Sequence, residues 1–86
     1  MNIIKLLDKL KNYLDADRRE QIAEYDSVKR ILKKLKKKEK ALKQQLKAEQ
    51  NEEVINQLQR EIDVIFAQRE KGINLQKSLK EAKKSR

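Results

Sequence analysis

Ten cationic side chains, Lys29, Arg30, Lys33, Lys34, Lys36, Lys37, Lys38, Lys40, Lys43 and Lys47, fall within nineteen consecutive residues whose only acid is Glu39. A cluster of that density attracts phosphates or carboxylates, which is the chemistry of a surface for an anionic partner. The chain carries 23 lysines and arginines against 14 aspartates and glutamates, a formal charge of +9; setting aside the ten cations and Glu39 leaves thirteen of each sign. The whole charge excess therefore lies between residues 29 and 47. Like charges one helical turn apart repel by roughly 0.2–0.5 kcal/mol per pair. Lys29 with Lys33, Lys33 with Lys37, Lys34 with Lys38, Lys36 with Lys40 and Lys43 with Lys47 are all such pairs. The solvated exterior of a purely structural helix would normally alternate signs at these positions.

Other chemistry finds little support in the residue types. There is no cysteine and no histidine, which removes disulfides, thiolate or imidazole metal ligands and cysteine nucleophiles, and leaves Ser27, Ser78 and Ser85 without an imidazole base. A single glycine, Gly72, cannot build a phosphate-cradling loop. Glu20 and Glu24 share the one-turn spacing of carboxylate metal ligands in helical bundles, but those sites add a Glu-x-x-His element, so a solvated face is the preferred reading. Glu49, Glu52 and Glu53 lack the glycine-containing loop of a calcium site and suit the positive end of a helix dipole instead. No catalytic residue, metal, cofactor or small-molecule substrate is expected.

The elements that must position the basic block are helices. Charged residues make up 43% of the chain and aromatics 3%, with no proline, a composition that suits long helices or disorder. Heptad regularity argues for helices. Residues 1–86 are read as one all-α domain with helices over 3–14, 17–49 and 52–84. In the first, Ile3, Leu7, Leu10 and Leu14 form a stripe that Ile4, Leu6 and Tyr13 widen to about half the circumference. Asp17, with Glu20 three residues on, forms a capping box for the second, and Asn51 is a cap for the third.

The second helix carries the seam Gln21, Tyr25, Val28, Leu32, Leu35, Glu39, Leu42, Leu46; the third carries Ile55, Leu58, Ile62, Ile65, Arg69, Gly72, Gln76, Leu79. Folding about residues 48–51 gives an antiparallel coiled-coil hairpin in which facing residue numbers sum to about 101. Leu35 then lies near Ile65, Leu32 near Arg69, and Lys38 near Glu61. Arms of this length measure roughly 50 Å at 1.5 Å per residue. Glu39 and Arg69 read as polar specifiers of register rather than recognition residues. Gly72 is read within a continuous helix, the alternative being a helix stop with Asn74 capping a further segment.

Helix 3–14 is the open element. Either it folds back at Asp15–Asp17 against Tyr25, Phe66, Ile73 and Leu75, or a second chain covers its apolar face. The second is preferred, making the chain an oligomer, modally a dimer, with Ile3, Leu7, Leu10, Leu14, Phe66 and Ile73 at the interface. The leading functional expectation is a non-enzymatic structural or adaptor protein that self-associates and mediates protein–protein interaction. The alternative is a basic hairpin that binds an acidic protein, RNA, DNA or a ribonucleoprotein through residues 29–47, largely without sequence preference because Tyr13, Tyr25 and Phe66 are expected to be buried. A second alternative lays helix 3–14 on a membrane surface. The longest apolar run, Val64–Ala67, is far short of the roughly 20 residues that span a bilayer. The Ile- and Leu-rich start, broken by Lys5, Asp8, Lys9 and Lys11, does not read as a secretory signal, so a cytoplasmic location is the default.

Overall fold

The computed structural model describes residues 3–84, with side chains through Ala82. Ser85 lies outside the described residues. Four helices pack against each other: α1 (Ile3–Asp15), α2 (Arg18–Ala23), α3 (Tyr25–Ala48) and α4 (Glu52–Lys84). Among the described residues there is no strand. From the turn at 49–51, α3 and α4 run back along each other, and α1 lies against both. The result is a rod of 52 × 19 × 18 Å.

The chain reverses after α1 within two residues, and one side chain holds the corner. Gln21 is buried, and its amide Nε2 donates to the carbonyl oxygens of Tyr13 at 2.9 Å and Leu14 at 3.3 Å. Those carbonyls end a helix and have no partner within it. The polar start of the second seam is therefore a cap for α1. Asp17 opens α2 by accepting from the Glu20 N–H at 2.8 Å. Among the described residues, the return bond of a capping box, from the Asp17 N–H to Glu20, is not made.

The helix expected over 17–49 bends at Glu24, where φ is −101° and ψ 21°. The bend keeps its ladder, since the Glu24 N–H donates to Glu20 O at 2.9 Å and the Val28 N–H to Glu24 O at 3.0 Å. Ser27 Oγ donates to Glu24 Oε2 at 2.9 Å across it. At the other end α3 stops without a glycine. Glu49 goes extended, and its Oε1 accepts from the N–H groups of Gln50 at 3.1 Å and Asn51 at 3.0 Å. Asn51 then caps α4, accepting from the Glu53 N–H at 3.0 Å.

The core joins Leu6 and Leu10 of α1, Val28, Ile31, Leu32 and Leu35 of α3, and Ile65 of α4. Thus α1 folds back within its own chain, the reading that ranked second. It does so with Leu6 and Leu10 rather than on Phe66, which is 53% exposed. Burial of a leucine side chain contributes about 1.5–3 kcal/mol. The apolar face that would have required a second chain is in large part covered here.

Gly72 makes this covering geometrically feasible. Helix α4 continues through it, so no stop or further cap occurs at 72–74. A Cβ placed on Gly72 would stand 2.5 Å from Leu32 Cδ2 and 3.1 Å from Leu10 Cδ1. Leu32 thus meets Gly72, and it lines one groove with Arg69, the residue expected near it. A backbone without a side chain lets α1 and α3 approach α4 at one level. Gly72→Ala is expected to stay within about 1 kcal/mol of the parent, its gain in helix propensity offsetting a shift of the Leu32 methyl. Gly72→Leu has no such room and is expected to lose about 2 kcal/mol or more by overpacking, as read from thermal and urea unfolding. A Gly72→Leu variant as stable as the parent would contradict this packing.

Candidate functional site

All ten cations of the block are exposed. Heptad spacing dictates this, because Val28, Ile31, Leu32 and Leu35 turn one stripe of α3 into the core and leave the remainder to lysine and arginine. The neighbouring helices divide the block. Arg30, Lys34, Lys37 and Lys38 lie on the α1 flank, where clefts are shared with Leu6, Lys9 and Tyr13. Lys29, Lys33 and Lys36 lie on the α4 flank, in a groove shared with Arg69, Ile73 and Gln76. Lys40, Lys43 and Lys47 continue that second row at spacings of four and three.

Carboxylates are scarce along the block. Among the described residues, Lys43 alone of the ten stands within 4 Å of one, its Nζ 3.8 Å from Glu39 Oε2. Among the described residues, no acid lines the α1-side clefts or the groove holding Lys29, Lys33 and Lys36. Lys38 and Glu61 do line one groove, with Ile3 and Leu42 between the helices.

Glu39 faces inward and is 5% exposed. Its Oε2 accepts from Arg69 Nη1 at 2.7 Å, and its Oε1 is buried with no hydrogen-bond partner. Sequence reasoning placed these two residues about a heptad apart along the rod and missed the pairing. The signal was present in the direction of helical side chains, which lean toward their own N-terminus. In antiparallel helices Glu39 and Arg69 lean toward each other, which brings them together across the seam. The block's one carboxylate is consequently committed to the core rather than to neutralising its surface.

The residues expected at an interface between chains have other neighbours here. Leu10 is fully buried, and Ile3, Leu7, Leu14 and Ile73 pack against the same core; Phe66 remains outside. Tyr13 and Tyr25, expected to be buried, are half-buried, and Phe66 is exposed. The face of α1 that a membrane surface would need is, apart from exposed Ile4, turned to α3 and α4. Among the described residues no helix is long and apolar enough to cross a membrane. Of the acids considered as ligands, Glu49 accepts from backbone N–H groups at the turn and Glu24 from Ser27.

Removing the partner of a buried charge costs more than removing the pair. Arg69→Leu is expected to destabilise the fold by about 3 kcal/mol, and Glu39→Leu with Arg69→Leu to recover most or all of that loss. Urea denaturation of the single and double variants measures both, and additive losses in the double variant would rule out the coupling.

No protein-family model, curated protein or solved structure matches the chain, so its functional reading rests on its own residues.

Proposed function

We propose that the chain is a non-enzymatic binding module, an antiparallel coiled-coil hairpin closed by α1, whose basic helix α3 docks on the phosphates of a nucleic acid. One observation carries this reading: nine exposed cations of one helix have, among the described residues, no carboxylate within 4 Å. Mutual repulsion along α3 disfavours the arrangement in the free protein. A polyanion relieves that repulsion and releases counterions as it binds. Nucleic acid fits better than an acidic protein because the cations repeat along about 27 Å of helix, as phosphates repeat along a strand.

Binding measured by gel shift or anisotropy with mixed RNA and DNA is expected to weaken steeply with salt. The logarithmic slope should be about −0.7 per phosphate contacted on a single strand. Changing Lys33, Lys36, Lys37 and Lys40 together to glutamine should abolish most of the affinity and flatten that slope. Absence of binding at low salt would remove the proposal.

A second reading, self-association, is favoured by Ile4 at 62% and Val64 at 50% exposure. These large apolar side chains suit a contact between copies. Sedimentation at tens of micromolar tests it: a dimer that Val64→Lys dissociates is expected, and a monomer throughout would end it.

A further inference from the structure

The groove between α3 and α4 has a feature that the α1-side clefts lack. Its volume is ≈ 380 Å³, and its walls are Lys29, Lys33 and Lys36 on one side and Arg69, Ile73 and Gln76 on the other. Phe66 stands three residues before Arg69 and seven before Ile73, on the same flank of α4. It is 53% exposed and stands just beyond the groove's lining, one turn from Arg69 and two from Ile73. Arg69 leans back along α4 to reach Glu39, bringing its guanidinium to the level of the turn that carries Phe66.

At the level of Phe66 the two walls differ in sign. On α3, Lys29, Lys33 and Lys36 continue into Lys40, Lys43 and Lys47 without an intervening exposed acid. On α4, Asp63 and Glu70 are exposed about 40–60° around the helix beyond Phe66, at 100° per residue, and exposed Lys77 and Lys80 follow past Ile73 at the Gln76 end. Beside Phe66, phosphates are therefore attracted to the α3 wall and repelled from the outer edge of α4. Arg69 is committed to Glu39, so phosphate contact falls to the lysines. What α4 offers to the groove is an aromatic face and the side of Ile73.

From these observations we propose that this groove is a track for single-stranded nucleic acid, its sugar–phosphate backbone on the Lys29, Lys33, Lys36 row and a base stacked on Phe66. The inference rests on the polyanion reading above and narrows it. A duplex hides its base faces and gains nothing from Phe66, whereas a single strand presents them, and aromatic stacking tolerates any base. The α1-side clefts offer charge with Tyr13 half-buried and serve a backbone only.

The test uses the full chain and labelled oligothymidylate of about ten nucleotides, the site size of one small single-strand module. An abasic strand of equal length and a duplex of equal charge serve as controls. The single strand is expected to bind more tightly than either. Phe66→Ala should weaken it about tenfold while leaving the salt slope, the abasic strand and thermal unfolding unchanged; Phe66→Tyr should restore it. Lys33→Gln with Lys36→Gln should weaken binding more than Arg30→Gln with Lys34→Gln. Equal binding of normal and abasic strands, or an indifferent Phe66→Ala, overturns the groove while salt-dependent binding keeps the broader reading. Failure of every strand at low salt overturns both. If Phe66→Ala instead dissociates a dimer and leaves strand affinity intact, Phe66 belongs to a protein contact and the track is refuted.

Discussion

At Gly72 the backbone of α4 touches its neighbours with no side chain of its own between them, and the placement of α1 depends on that contact. Leu32 and Leu10 both come to the space a Cβ would fill. A side chain longer than alanine would press on both leucines and loosen α1 from α4. Because the space exists, α1 completes a core that α3 and α4 alone could not enclose. Small chains have too much surface to spare such a contribution. Gln21 secures the same arrangement from the corner by satisfying the last carbonyls of α1.

Once the core is closed from within, the exterior of α3 is free of packing duties. Its lysines are good helix formers and its leucines are anchored, so the helix tolerates like-charge repulsion of a few tenths of a kcal/mol per pair. Burial of a leucine is worth several such pairs. Glu39 adds to the imbalance, because its carboxylate turns inward to Arg69 and its remaining oxygen stays unpaired. The interior thereby takes up the acid that would otherwise have moderated the surface.

Much of this was legible in the residues, for reasons that can be stated element by element. Helix α4 and its cap at Asn51 follow from heptad spacing and local backbone chemistry, both properties of adjacent residues. The exposure of the ten cations follows from the leucine stripe. What was not legible depends on contacts between distant segments. Gln21 looked like a weak seam residue because its partners, the Tyr13 and Leu14 carbonyls, belong to backbone rather than to a pattern. The bend at Glu24 leaves the periodicity intact and so leaves no trace in it. Phe66 looked buried because apolar residues flank it, but it sits at the margin of the seam, where α1 does not reach.

The rod is 19 Å by 18 Å in section, and mobile ions screen charge over about 8 Å at physiological ionic strength. The two sides of so slender a molecule are thus electrically separate. A charged body approaching the side of the rod turned away from α3 feels little of the lysines, while one approaching α3 feels nearly the full excess of the chain. The molecule carries its charge as an off-axis pole, and the resulting torque turns α3 toward an anion before the surfaces meet. Its orientation in an encounter is set by the field, ahead of any contact.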